Sequence, residues 1–166
     1  MSETTRENEL TATLVAEYVR YYRHLASRVE RAVRSLPKNK VWVKPFPFGN
    51  DVGRLVLHLN GNLNHFIGAG ISGTGYVRDR PREFTDDSCP DPALLLGDFH
   101  KTIDMVVATI ESLDAAALIK PNEGHPPLQS TLGILLLCAS HLNNHIGQMS
   151  YLVQAQGHSL DEPPLW

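Results

Sequence analysis

Apolar side chains recur every three or four positions along four stretches of the chain, which is the spacing of one face of an α-helix. The first stretch runs from about Leu10 to Leu36, where Pro37 stops it. The second begins at Asn50 or Asp51, either of which can cap a helix, and continues to Ile67 before a run of glycines. Both patterns predict amphipathic helices that bury one face.

The second half of the chain contains two further stretches with helical spacing of apolar residues. Asp91 and Pro92 form a good N-cap and first turn for a third helix that ends near Leu113. A fourth helix begins at Ser130 or Thr131 and continues to Gln156, where Gly157 supplies a C-terminal stop. Four long helices without a convincing strand pattern predict an all-α fold, an antiparallel four-helix bundle formed by one domain over residues 1–166.

The segments between these helices have a different character. The stretch Trp42 to Phe48 has prolines at alternate positions and reads as an extended connector, and Pro121 to Gln129 is rich in turn residues. The connection between the second and third helices contains the charged loop Arg78 to Phe84, which we expect to form a short turn or a lid. As a lid, its Arg80 would contact an anionic substrate; as a plain loop, surface ion pairs would hold it.

Composition narrows the classes of function. The 166 residues carry a formal charge of −3, which gives no electrostatic footprint for nucleic acid. Two cysteines do not make a disulfide framework, the polar N-terminus does not resemble a signal peptide, and no apolar run is long enough to cross a bilayer. We therefore expect a cytoplasmic protein without nucleic-acid or membrane partners.

Three histidines stand out among the eight. His141 and His145 lie one turn apart on the fourth helix, at the edge of its apolar face. His58 lies in one of the least polar stretches of the chain, on the second helix. Each could be satisfied by a carbonyl group or by water, but together they favour a shared divalent metal ion, since buried imidazoles are costly when unpaired.

Three imidazoles with one open position are typical of a catalytic site, because structural zinc is usually closed by four protein ligands. Imidazole suits several metals, and we expect zinc or nickel. Asn62, His65 and Gln148 are candidates for the surroundings of the metal; His65 could line a pocket, relay protons, act as a fourth ligand, or simply be exposed near the helix end. The sequence lacks the glutamate of zincin proteases, the Glu-x-x-His pairs of di-iron bundles, and phosphate-binding loops.

The order of these histidines resembles that of the DinB-like (YfiT-related) superfamily of four-helix bundles. The resemblance rests on His58 and on His141-x-x-x-His145-x-Gly147-Gln148, and it covers about Trp42 to Gly157. Further similar segments are Trp42-Val43-Lys44-Pro45, His58-Leu59-Asn60-Gly61-Asn62 and Arg80-Pro81-Arg82-Glu83-Phe84. It implies a metal held by His58, His141 and His145, and frequent dimerisation.

The resemblance also implies a range of activities. Some relatives are transferases or isomerases that use a low-molecular-weight thiol, others are described as metal-dependent hydrolases, and many have no known reaction. We expect a metal-dependent enzyme acting on a small molecule, with thiol S-transfer ahead of hydrolysis. The alternatives are a non-catalytic bundle that binds a metal or small ligand in a stress role, and a structural bundle whose histidines only form hydrogen bonds.

Overall fold

The computed structural model describes residues 2–122 and 128–160. Its helices are, in chain order, α1 (Glu3–Arg34), α2 (Val52–Leu63), α3 (Arg82–Thr85), α4 (Pro92–Glu111), α5 (Ala115–Ile119) and α6 (Thr131–Ala155). A 3₁₀ turn, Lys38–Lys40, follows α1, and a π-helical segment, Asn64–Ala69, continues α2. The described residues form no strand beyond an isolated antiparallel bridge between Pro121 and Ser130, which confirms the all-α class.

Side-chain caps fix where the long helices begin. Asp51 accepts a hydrogen bond from the Arg54 N–H, and Ser130 accepts one from the Gly133 N–H. Asp91 caps α4 in the same way and is followed by Pro92 in the first turn. Each of these residues satisfies an N–H that the helix itself leaves without a partner. The predicted N-termini of α2, α4 and α6 are therefore confirmed.

Residues close in sequence also fix the end of α6 and the start of α1. Gly157 has a φ of +81°, the left-handed conformation that glycine adopts without strain, and it ends α6 as predicted. At the opposite end of the chain, α1 begins earlier than its apolar pattern indicated, because Ser2 caps it through the Thr5 N–H. The predicted turn from Pro121 to Gln129 lies largely outside the described residues.

The core is shared by the four long helices. Helix α1 packs against α4 and α6, and α2 packs against the same two helices. Their apolar faces meet around large, fully buried side chains, among them Tyr22, Leu59, Phe99 and Leu142. Burying such side chains contributes about 1.5–3 kcal/mol each. Packing of α2 on α6 matters most here, because it brings His58 beside the histidine pair. The antiparallel direction of the helices stays a prediction.

Candidate metal centre

Three imidazole rings converge where α2 packs against α6. The Nε2 atom of His141 lies 3.2 Å from Nε2 of His58 and 3.1 Å from Nε2 of His145. Each ring offers one nitrogen, and the three nitrogens all lie within 4.8 Å of one another. His58 is buried, and the other two rings are half-buried. This cluster can hold a metal ion.

The separations suit a tetrahedral ion. Zinc–nitrogen bonds of 2.0–2.1 Å at tetrahedral angles place two imidazole nitrogens about 3.3 Å apart. The two observed separations, 3.2 and 3.1 Å, are close to that value. Small rotations of the side chains would bring the nitrogens to that separation, so the three histidines fit such an ion.

The partners of the outer ring nitrogens indicate which tautomers are present. Nδ1 of His58 is 2.8 Å from the Glu83 carboxylate, and Nδ1 of His145 is 2.8 Å from Oε1 of Gln148. Both partner oxygens accept hydrogen bonds, so each Nδ1 carries the proton and each Nε2 presents a lone pair. A neutral His141 can donate to one of those lone pairs at most. A cation satisfies all three nitrogens at once.

The electrostatic environment also keeps two of the rings neutral. Burial, reinforced by the neighbouring His145 and His58, lowers the pKa of His141 to about 4. Burial lowers the pKa of His58 as well, although the Glu83 carboxylate acts in the opposite direction. The Nδ1 atom of His141 is buried without a hydrogen-bond partner among the described residues. Neutral imidazole is the form that coordinates a metal.

The sequence-predicted surroundings separate into two groups. Gln148 touches the cluster through its bond to His145. Asn62 is buried one turn after His58, and its Oδ1 has no hydrogen-bond partner within the described parts of the chain. His65 is outside the three-histidine cluster and packs against Phe66, with ring centroids 4.8 Å apart. It lies seven positions after His58, which at the α-helical rise is about 10.5 Å along the axis.

The loop between α2 and α4 contributes more than the sequence predicted. Arg80 is exposed and lies over the Phe84 ring, 5.7 Å from its centroid. That ring in turn packs against His58, with centroids 4.9 Å apart. Arg82 pairs instead with Asp86 at the surface. The loop therefore lies against the histidine cluster, and Arg80 is an exposed cation beside it.

Sequence reasoning missed Glu83 and Arg78 as site residues. Arg78 donates to both carboxylate oxygens of Glu83, at 2.6 and 2.9 Å, and its Nη2 lies 3.3 Å from Nδ1 of His58. The segment that contains Glu83 stood out by resemblance, but nothing in its spacing indicated contact with a histidine on another helix. The burial of Glu83 is what marks it as a site residue, and that burial is known only from the folded structure.

The remaining histidines lie elsewhere. His100 on α4 pairs with Glu30 of α1, at 3.3 Å, rather than facing the cluster. His24 is exposed and stacks against Tyr21. His158 is half-buried beyond the end of α6, and His125 lies outside the described residues. These positions leave the cluster with the three histidines singled out from the sequence.

A cavity of about 370 Å³ lies beside Gln148, the residue that bonds to His145. Gln148 lines it and also bonds to His145, while Leu55 lies one turn before His58 on α2. Two aromatic rings of the connector before α2, Phe46 and Phe48, stack 5.9 Å apart at its edge. Its other lining residues are Gly49, Asn50, Tyr151 and Leu152. Its lining is mostly apolar, which suits a hydrophobic group of a small ligand.

Comparison with known proteins gives the family. None of the described helices combines the length and the hydrophobicity that a bilayer crossing requires. A search of curated proteins found no match to the chain. A family model described as the DinB superfamily matches residues 8–149, which includes most of α1 and all three clustered histidines. The chain belongs to the DinB superfamily.

Proposed function

We propose that this chain is a metal-dependent enzyme in which His58, His141 and His145 hold one divalent ion, zinc or nickel. The observation that carries the proposal is the pair of acceptors, Glu83 and Gln148, which fix the protons of two rings on Nδ1 and leave their Nε2 lone pairs facing a third ring. Such carboxylate–histidine–metal arrangements are usual around protein-bound metals. Three ligands leave a position for a small molecule.

Among the reactions open to such a site, we propose transfer of a low-molecular-weight thiol to an electrophile. A bound divalent ion supplies Lewis acidity, which lowers the pKa of a thiol or a water molecule at the open position. Hydrolysis would also be helped by a general base. Glu83, the carboxylate that contacts the cluster in the described chain, is already bonded to Arg78 and His58. Thiol transfer does not need that base.

The chemistry balances without a further reagent. The thiol gives its proton to solvent, its sulfur forms a bond to an electrophilic carbon, and the leaving group departs with the bonding electron pair. The protein binds and orients the reactants: Arg80 faces solvent beside the centre and attracts an anionic group, and the cavity next to Gln148 accepts an apolar one. Phe84 packs on His58 and excludes water from that side of the ring.

Two further properties complete the proposal. We infer that the long helices form an antiparallel four-helix bundle, which is supported by the packing of α1 and α2 against the same two helices. We also infer a homodimer formed through helices. What supports it is a groove of about 380 Å³ between α1 and α6, where Tyr21 and Leu136 expose apolar surface.

Metal analysis and a thiol panel test this function. Protein purified without an affinity tag should contain about one equivalent of metal, and His58→Ala and His141→Ala should each lose it. The metal-loaded protein should then consume glutathione, bacillithiol or mycothiol in the presence of electrophilic acceptors. Stoichiometric metal with no turnover across this panel would favour the non-catalytic binder. A wild type without metal would contradict the proposal and leave the structural bundle.

The role of Arg80 has a matched control in the same loop. Arg80→Met should raise KM for an anionic acceptor more than for a neutral one. Arg82→Met removes the same charge from a residue that pairs with Asp86 at the surface. It should leave both KM values unchanged. Equal effects of the two substitutions would contradict a specific role for Arg80.

Size-exclusion chromatography with light scattering tests the proposed dimer. It should give twice the mass of one chain.

A further inference from the structure

Glu83 is a buried acid that reaches the metal centre from a surface loop. It is 7% exposed, and its Oε2 lies 2.8 Å from Nδ1 of His58. It stands on α3, a helix of four residues that would not be stable alone. A buried charge is costly unless it is paired and hydrogen-bonded, so its position has to be held by other parts of the chain.

Arg78 and Gly61 make that position possible. The Arg78 guanidinium binds both carboxylate oxygens, which neutralises the charge and leaves Oε2 directed at His58. On the other side, a Cβ atom at Gly61 would lie 2.0 Å from Oε1 of Glu83. A carbon and an oxygen that are not bonded to each other cannot approach so closely, so the carboxylate would have to move. Glycine at position 61 therefore provides the space that the carboxylate occupies against α2.

Arg54, a residue of α2, holds the same loop through two hydrogen bonds of its guanidinium group. Its Nε donates to the Phe84 carbonyl at 3.1 Å, and its Nη2 donates to Asp87 at 2.8 Å. The guanidinium is itself held by Asp51 through Nη1 at 2.6 Å. These bonds fix the chain at Phe84 and at Asp87, both shortly after Glu83, so the loop is docked at several points near His58.

We propose that Glu83 is a positioning residue for His58, and that Arg78 and Gly61 serve to place its carboxylate. Glu83 keeps the proton of His58 on Nδ1 and orients the ring, so that Nε2 presents a lone pair beside His141. The affinity of the centre for metal therefore depends on docking of the loop that contains Arg78 and Glu83. This inference rests on the proposed metal centre and adds groups that do not touch the ion.

Cobalt(II) binding to the metal-free protein tests the role of Glu83. Affinity is measured by competition with a chromophoric chelator, and the ligand field is read from the visible absorption of the bound ion. Glu83→Ala should weaken Co²⁺ binding about 10- to 100-fold, the range typical for loss of such a partner of a ligating histidine. Glu83→Gln should lose less, because the amide oxygen can still accept from Nδ1. Both should alter the visible spectrum.

Gly61→Ala provides an independent route to the same effect. It leaves Glu83 in the sequence but removes the space for its carboxylate, so the affinity should fall to a similar extent as in Glu83→Ala. Gly97→Ala is the matched control, since a Cβ at that helical position meets nothing within 4 Å. Glu111→Gln, which makes the same change at an exposed acid, is the control for Glu83→Gln. Both controls should bind Co²⁺ within about twofold of the wild type, well below the 10- to 100-fold loss expected when the partner of a ligating histidine is removed.

The outcomes separate the two proposals. If the wild type binds one Co²⁺ while Glu83→Ala and Gly61→Ala bind it equally well, the positioning role is wrong and the metal centre stands. If the wild type binds no Co²⁺, the metal centre is wrong and the positioning role falls with it. Circular dichroism in the presence of a chelator confirms that each variant is folded. If Glu83→Ala does not fold, Glu83→Gln and Gly61→Ala decide the question.

Discussion

Replacing Arg54 by methionine should destabilise the protein far more than replacing a surface cation. Arg54 is buried on α2, with its side chain 10% exposed, and it pairs with Asp51, whose side chain is fully buried. Methionine preserves much of the side-chain volume but leaves the Asp51 carboxylate without its cation. That carboxylate keeps its bond from the Arg54 backbone N–H, which does not depend on the side chain.

The expected cost is about 3–5 kcal/mol, the range observed when one partner of a buried ion pair is removed. The bond to Asp87 adds little, because the Asp87 side chain is 90% exposed and well solvated. Loss of the bond to the Phe84 carbonyl adds about 1 kcal/mol, the usual net value of a hydrogen bond. Arg54→Met should therefore consume much of the roughly 5–15 kcal/mol by which a protein is typically stable.

Urea unfolding at pH 7 in the presence of a chelator measures this cost without a contribution from metal binding. Lys101→Met is the control, since Lys101 and its partner Asp98 are 80% and 68% exposed. That substitution should cost less than about 1 kcal/mol. Adding Asp51→Asn to Arg54→Met should recover part of the loss, because the buried charge is gone. If Arg54→Met and Lys101→Met have the same free energy of unfolding, the reasoning about the buried pair is wrong.

Two further predictions concern ionisable groups. Burial raises the pKa of the Cys138 thiol to about 12, whereas Cys89 is exposed. A disulfide reagent at pH 8 should therefore modify one thiol per native chain and both thiols in denaturant. Rapid reaction of the reagent with native Cys89→Ser would contradict this prediction. The pKa of His141, about 4, lies below its value of 6.5 in the unfolded chain. Between these pH values the unfolded chain binds more protons, so in chelator the free energy of unfolding should fall as pH falls from 6.5 towards 4. Urea titrations should show a weaker fall for His141→Ala.

Helix termini were predictable because they depend on neighbours in sequence. Asp51, Asp91 and Ser130 each cap a helix through an N–H two or three residues away, and Gly157 ends α6 through its own backbone conformation. The start of α1 was missed for a related reason. Its first residues are polar and exposed, so the apolar period does not include them, although Ser2 supplies a cap.

The histidine cluster was predictable because two of its members lie one turn apart and the third interrupts an apolar stretch. His65 lies in the π-helical segment that continues α2, outside the three-histidine cluster, and its role near the pocket stays a prediction. The contact of Glu83 with His58 could not be predicted from the sequence, since the two residues are 25 positions apart and meet because the loop docks on α2. The short α5 has too few residues to produce a recognisable period.

The location of the metal is the most direct test of this account. Crystals of the metal-loaded protein, measured at the absorption edge of the bound element, should show one anomalous peak about 2.0–2.1 Å from Nε2 of His58, His141 and His145. The same peak should be absent in crystals of His141→Ala. A peak at any other place, or no peak among the three rings in protein shown to contain metal, would contradict the account.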